Sequence, residues 1–358
     1  MSRMNSIITS RHDDKMKKHI MICKAMLVLS VGCLLPSSCR KESPAETTRQ
    51  EAGAAVEVIV SAESSCTRAF QNGGSHNVNR IAVIPFRKIS ESMTDDNSSY
   101  VPDYSLAVQK DITAFPVNGI VLHLPVSTTY KVLVIGYNTA DYNFSDMNSP
   151  SNRFTIGSLT SPATLESLYL YPKSAVSVPQ FFTCICTAYS GTRPAGTAFR
   201  PGQGLTLSGT LKRIVSGLSV TITDVPAFVK SVSLVAENLT KASKATDGSI
   251  VLSQTASDEE SRIIRKMVPG QDKRIVFNEY LLPTFKTNMT RFFLDVEYGP
   301  YTHRYVVKVP DSDISSANKL ALLPNQAINI SGSYGKINIG FTLGFAINLD
   351  DDAWDGIQ

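Results

Sequence analysis

The chain has 358 residues, 42% hydrophobic and 18% charged, a composition that excludes a disordered chain and a bundle of membrane helices. Its formal net charge of +4 comes from the N-terminal segment, because residues 1–38 hold six of the 35 basic residues and two of the 31 acidic ones. The rest of the chain is balanced in charge. This disfavours nucleic acid as a partner, since nucleic acids select basic surfaces.

Residues 1–38 are predicted to be a signal peptide of the lipoprotein type. A basic stretch ends at Lys24, and the apolar run that follows, Ala25 to Leu35, is too short to span a bilayer. The residues before Met16 are polar and without pattern, so Met16 is a candidate for the true start.

The small residues Ser37 and Ser38 precede Cys39, which resembles a bacterial lipobox. This motif predicts cleavage before Cys39 and lipidation of its thiol, with palmitate among the chains, so that the protein is held on the outer membrane without spanning it. Cys33 is a competing site, but it lies within the apolar run. Ordinary secretion, with Cys39 in a disulfide, is the alternative interpretation.

Residues 39–53 are charged and small and predict a flexible tether between the lipid and the folded part. The length of the remainder predicts two domains. The Gly- and Pro-rich stretch from Gly191 to Gly204 is the best boundary candidate, which gives an N-terminal domain over 54–204 and a C-terminal domain over 205–358.

Short runs of β-branched and aromatic residues recur along the whole body, separated by Gly, Pro, Asn and Asp, and they predict an antiparallel all-β protein. A hairpin is predicted from Arg291 to Val309 with its turn at Gly299-Pro300. One short helix is predicted over Ser161–Leu168, with Ser as its cap and Pro in its first turn. The other predicted strands are Val56–Val60, Arg80–Phe86, Tyr130–Tyr137 and the alternating segment around Leu218, Val220 and Ile222.

The sequence holds no convincing set of catalytic residues, and it predicts neither an enzyme nor a metal or cofactor site. His76, His123 and His303 are far apart and lack partners at metal-ligand spacing. The S-x-x-K sequence from Ser333 to Lys336 matches a nucleophile motif, but its surroundings indicate strand and turn rather than the required helix.

Cys184 and Cys186 are two residues apart, a spacing that places both thiols on one face of a strand. Zinc and redox motifs use two intervening residues instead, which favours buried thiols at these positions. A disulfide from Cys66 to one of the pair is the alternative in an oxidising compartment.

Several segments of the body together resemble the anchor lipoproteins of Bacteroides-type fimbriae, the FimB-like branch of the fimbrillin superfamily. The order of these segments behind a lipobox carries the resemblance, because each motif is short. They are Leu207–Val220 with its basic pair, Glu279–Thr284, Leu323–Ile330 and the ending Ile347–Trp354.

The resemblance implies two transthyretin-like β-sandwich domains in tandem and assembly by strand complementation, with fimbrial shaft subunits as partners. Polymerising relatives lose an N-terminal strand by cleavage after an Arg. Arg49 and Arg68 are the only basic candidates near the first strand here, neither has a convincing context, and cleavage would separate Cys39 from the body. A retained N-terminus is what an anchor needs.

The expected function is therefore a lipid-anchored, surface-exposed fimbrial subunit, most simply the anchor of a pilus involved in cell adhesion. A tip or accessory subunit is not distinguished from an anchor by these residues. The alternative from another class is an outer-membrane glycan-binding lipoprotein, which would need an exposed aromatic platform; the single Trp354 lies near the end of the chain.

Overall fold

A computed structural model describes residues 53–63, 78–158, 160–173, 177–251 and 260–346. The predicted signal peptide, Cys39 and the tether up to residue 52 lie outside these ranges. The other residues discussed above that fall outside them are Arg49, Cys66, Arg68, His76 and the ending 347–358.

The described residues form β-strands joined by turns and 3-10 turns, with no α-helix among them, which confirms the all-β prediction. The 3-10 turns are Asn97–Ser99, Tyr104–Leu106, Phe144–Asp146 and Tyr334–Lys336. The strands are β1 (Gly53–Ala62), β2 (Arg80–Lys88), β3 (Tyr100–Pro102), β4 (Val108–Asp111), β5 (Val117–Pro125), β6 (Tyr130–Tyr137), β7 (Phe154–Ser158), β8 (Leu168–Pro172), β9 (Phe182–Ile185), β10 (Thr187–Ser190), β11 (Arg193–Gly196), β12 (Leu205–Arg213), β13 (Ser216–Thr223), β14 (Val229–Glu237), β15 (Ser243–Lys244), β16 (Arg262–Met267), β17 (Ile275–Leu281), β18 (Thr290–Tyr298), β19 (Tyr301–Val306), β20 (Ser315–Ser316), β21 (Lys319–Leu320), β22 (Ala327–Ser333) and β23 (Thr342–Ala346).

The N-terminal half is built on one bent sheet. Its first part has the order β5-β1-β12-β10-β11, and its second part runs from β12 through β9, β6 and β2 to β3, with β4 also on β2. Because β12 belongs to both parts, the sheet folds over itself and encloses a shared core. Val58 of β1, Leu122 of β5, Val134 of β6 and Leu207 of β12 belong to that core.

The C-terminal half has two separate sheets that face each other. One has the order β17-β13-β22-β23, and the other has β16-β14-β18, with β19 and β21 pairing along the far side of β18. Leu218, Val220 and Ile222 of β13 are fully buried between the sheets, as their alternation predicts. The predicted hairpin is also confirmed, with Gly299 in its turn at φ 58°.

A third apolar core joins the two halves. Strands β7 and β8 cover the outer face of the second part of the N-terminal sheet, and β15 from the C-terminal half pairs with β8. Val215 and Leu282, both from the C-terminal half, are buried in this core. Lys244 of β15 also forms an ion pair with Glu166.

Two expectations differ from the observed strand pairing. Two of the sheets are not wholly antiparallel. In the N-terminal sheet β1 lies parallel to β12, and in the C-terminal β17-β13-β22-β23 sheet β13 lies parallel to β22. The predicted division at residue 204 falls just before β12, yet β12 pairs with β1, β9 and β10, so the N-terminal sheet extends to Arg213. The Gly- and Pro-rich stretch before β12 contains strand β11 and the loop that follows it, so it lies within this sheet rather than at its end.

The predicted helix over Ser161–Leu168 is wrong. Its backbone N–H groups are used elsewhere, since Leu165 N donates to the carbonyl oxygen of Tyr100 over 2.8 Å. The Thr164 and Ser167 side chains each accept from the other's backbone N–H, which offers the segment an alternative to helical bonds. Leu168 then begins β8.

Candidate functional site

The first strand, β1, lies between two neighbours. β5 pairs with it antiparallel and β12 pairs with it parallel, so both of its edges are hydrogen-bonded. Val56, Val58 and Val60 alternate along it and are fully buried. Strand β1 is thus an inner strand of the N-terminal sheet, with a described strand on each side.

The start of β1 lies at a tip formed by two turns. Gly53 pairs with Pro125, which opens the turn to β6. Glu91 from the loop after β2 accepts hydrogen bonds from the backbone N–H and the hydroxyl of Thr129, at 2.8 and 2.7 Å, and pairs with Arg200 at 3.0 Å. These bonds from Thr129, with Arg200 beside them, lower the pKa of Glu91 to about 2 and hold the two turns together.

The described residues contain no cluster of His, Cys, Asp or Glu that could hold a metal ion. His123 lies on the outer face of β5 and His303 on β19, both exposed. Ser333 ends β22 and precedes the 3-10 turn Tyr334–Lys336, so the S-x-x-K sequence does not open an α-helix.

The two thiols of Cys184 and Cys186 are free and buried, which confirms that interpretation. They lie against Gly209 of β12, where a Cβ would be 2.7 Å from one sulfur and 3.0 Å from the other. The hydrogen bond with Cys186, together with burial, raises the pKa of the Cys184 thiol well above its ordinary value. A protonated, buried thiol is a packing group rather than a nucleophile.

One side of the C-terminal sandwich is closed by a charged pair. Arg265 of β16 donates to the carboxylate of Glu279 on β17, so this bond bridges the two sheets. The Glu279 side chain is only 3% exposed. A buried carboxylate with its guanidinium partner closes the sandwich on this side.

The opposite side of the same sandwich carries two edge strands. In the described residues β19 pairs only with β18, and β23 pairs only with β22. The two edges lie on one side, because Phe341 N, just before β23, donates to the carbonyl oxygen of Lys308, just after β19, over 2.9 Å. Strand β23 therefore pairs within the C-terminal sandwich, while the outer edges of β19 and β23 present main-chain groups that no described strand pairs.

A row of aromatic rings follows the β19 edge. Tyr301, His303 and Tyr305 share one face of β19 and stand opposite core-facing residues of β18. The ring of His303 stacks on Tyr298 with centroids 5.1 Å apart and lies 6.4 Å from Tyr305. Phe228 extends the row, 6.2 Å from Tyr298.

Tyr301 and Phe228, which both lie beside the ring of Tyr298, are 64% and 63% exposed. The inner face of the sandwich therefore extends beyond the area that the opposite sheet covers. The sequence contains the cue for this row, three rings at alternate positions in the return strand of a hairpin, but a strand pattern does not state which strand lies at an edge. The Arg265–Glu279 pair on the closed side could not be predicted from the sequence either, because the two residues belong to strands of different sheets.

Among the described residues, no helix is long and apolar enough to cross a membrane.

No family model and no curated protein matches the sequence. Among solved structures, the fold is similar to the fimbrial anchor protein Mfa2 from Porphyromonas gingivalis, at 12% identity and a TM-score of 0.43 over 78% of this chain and 90% of that one. It is also similar to the tip fimbrial protein Mfa3 from Porphyromonas gingivalis, at 12% identity and a TM-score of 0.36 over 82% of this chain and 98% of that one.

Proposed function

We propose that the chain is a lipid-anchored fimbrial subunit that attaches a fimbria to the outer membrane, with Cys39 as the lipidated residue and residues 39–53 as the tether. The lipobox and the order of the fimbrial motifs support this proposal. The observation that carries it is β1, whose two paired edges secure the anchored end of the chain in the N-terminal sheet.

The pairing of β1 suits it to bear a pull from the membrane. A force on the tether would enter at Gly53 and act along the strand. The hydrogen bonds to β5 and β12 run across the strand, so they would be loaded together in shear rather than opened one at a time. The buried Val56, Val58 and Val60 would have to leave the core at the same step.

The C-terminal sandwich is the part that would receive a neighbouring subunit. An extended segment added to β19 or β23 would gain a ladder of main-chain hydrogen bonds along its length. The aromatic row beside β19 would supply apolar contacts for alternate side chains of that segment.

Deletion of the gene tests the role, by comparing fimbriae on cells with fimbriae in the medium. We expect fimbriae to move from cells to medium, or to be missing, and Cys39→Ala to reproduce the shift. Fimbriae unchanged in amount, length and attachment would refute the anchor role.

Metabolic labelling with a fatty acid tests the attachment separately. We expect Cys39→Ala to abolish the label and the matched Cys33→Ala to keep it. Label that survives in the Cys39 variant would overturn the lipobox assignment.

The second candidate is a lipid-anchored glycan-binding protein, favoured by the exposed rings of Tyr301 and Phe228. Sugars stack on aromatic faces, and Tyr301, Phe228 and His303 all offer exposed ring surface here. A glycan array with the wild-type protein and the Phe228→Ala variant tests it: specific binding lost in the variant supports this candidate, and an empty array with intact fimbrial attachment rejects it.

A further inference from the structure

The tip where β1 begins carries exposed apolar side chains. Val126 lies in the turn between β5 and β6 and is 41% exposed, while Ile89 and Met93 in the loop after β2 are 45% and 39% exposed. The bonds between Glu91 and Thr129 hold these two turns beside each other. Three apolar side chains therefore share one end of the N-terminal sandwich.

This tip is at the end of β1 that receives the tether. Gly53 pairs with Pro125, the residue before Val126. The parallel pairing with β12 places Ala62 beside Leu211, where β12 is about to leave for the C-terminal sandwich. Gly53 is therefore at the opposite end of the strand, about 30 Å away at roughly 3.3 Å per residue.

The charges around the tip also suit a bilayer surface. Arg87 is exposed, and Arg200 pairs with Glu91 while its side chain remains 58% exposed. Two acidic residues also lie in this loop: Asp95 pairs with Lys88, and the exposed Asp96 accepts a hydrogen bond from the Thr94 hydroxyl. Long basic side chains beside apolar ones are typical of surfaces that rest at the headgroup level, because the stems pack on apolar groups while the charges reach the phosphates.

We propose that the tip formed by Ile89, Met93 and Val126 rests on the bilayer that holds the lipid anchor. This proposal depends on the lipidation of Cys39 proposed above. Thirteen residues separate Cys39 from Gly53, a reach of at most about 50 Å. The lipid thus keeps this end of the sandwich close to the membrane, where each apolar contact is an intramolecular event. This contact would set the orientation of the β19 and β23 edges relative to the membrane, which a flexible tether alone does not do.

Quenching of a single tryptophan by brominated lipid tests the contact. Trp354→Phe removes the only native tryptophan, and Val126→Trp places a new one at the tip. The control carries Ile263→Trp instead, on β16 of the C-terminal sandwich, where the native side chain is 60% exposed. The lipidated full chains are reconstituted in phosphatidylcholine vesicles with plain or brominated acyl chains.

We expect bromination to lower the tryptophan emission of the Val126→Trp chain roughly twofold, since interfacial side chains lie about 5–10 Å deep, and to leave the emission of the Ile263→Trp chain unchanged. Met93→Trp in the same background should repeat the result, which guards against a defect of one variant. Equal emission in plain and brominated vesicles at both tip positions would overturn the proposal.

Failure of the lipidation proposal is detected separately. If mass spectrometry of the purified chain shows no lipid on Cys39, that proposal falls, and the same variants are attached through an N-terminal histidine tag to vesicles with nickel-chelating lipid. Quenching at the tip under this attachment supports the surface contact, and its absence rejects the contact.

Discussion

Strands β1 and β19 have the same kind of pattern and opposite surroundings. Each places apolar or aromatic residues at alternate positions on one face, while the other face includes a charged residue, Glu57 in β1 and Arg304 in β19. In β1 the apolar face is fully buried at Val56, Val58 and Val60, whereas in β19 Tyr301 and His303 are exposed. The difference lies in the neighbours, since β1 has a paired strand on each side and β19 on one side only.

The contrast between these strands teaches that periodicity predicts which face of a strand is apolar and leaves open whether that face is covered. Coverage depends on strand order. A strand with two neighbours is committed to its own fold, while an edge strand keeps its main-chain groups and its row of side chains available. Substitutions in and around the two strands can break or sharpen this contrast, from the largest expected effect to the smallest.

A charge on the buried face of β1 should have the largest effect. Val58 is fully buried, so Val58→Asp would place a carboxylate in the core without a partner, and we expect a loss of about 4 kcal/mol or more in the free energy of unfolding. Chemical denaturation measures it. The matched control is Glu57→Ala on the exposed face of β1. A loss of similar size there would show that the two faces of β1 do not differ in burial.

A side chain at Gly209 of β12 tests the packing around β1 from the neighbouring strand, because Gly209 pairs with Val60. The new Cβ would lie too close to both thiol sulfurs, and we expect Gly209→Ala to cost about 2 kcal/mol in unfolding free energy.

Adding Cys184→Ala to that variant should recover part of the loss, because the closer sulfur is then removed. Gly202→Ala is the control, since no atom lies within 4 Å of a Cβ there. A Gly209→Ala variant as stable as the control would contradict the packing described for β12.

The pH dependence of stability tests the turns at the start of β1. The pKa of Glu91 is lowered to about 2 in the folded chain from 4.5 in its ordinary state. Its contribution is therefore fully present above about pH 4.5 and is lost as the pH falls toward about 2.

We expect the Glu91→Gln variant to show a smaller fall in stability across this range than the wild type, measured by thermal unfolding at a series of pH values. Parallel slopes for the wild type and Glu91→Gln would show that the Thr129 contacts do not stabilise the ionised carboxylate.

The smallest effect is expected at the edge strand. Tyr301 is 64% exposed, so Tyr301→Ser should change the free energy of unfolding by no more than about 0.5 kcal/mol. If the β19 edge receives a neighbouring subunit, the same variant should nevertheless reduce the amount of fimbriae retained on cells. A marked loss of stability would show that the aromatic row belongs to the core.

The sequence predicted most strands because their cause is local. Alternation places Leu218, Val220 and Ile222 on one buried face, and Gly299-Pro300 sets the hairpin turn. The helix predicted over Ser161–Leu168 failed because its backbone bonds to Tyr100 at the start of β3, a partner far away in sequence. Two aspects of the candidate site have the same origin: the edge position of β19 follows from strand order, and the tip arises where distant turns meet at Glu91.

The parallel pairing of β1 also affects the order in which the chain can fold. Glu57 stands beside Thr206, about 150 residues further along, so one edge of β1 stays without its partner until β12 has been made. The antiparallel partner β5 comes much earlier. A partly synthesised chain therefore holds an apolar strand with one open edge, which is a site for mispairing and aggregation. We expect chaperones that protect extended apolar segments to matter most during this interval, before residue 211 is available.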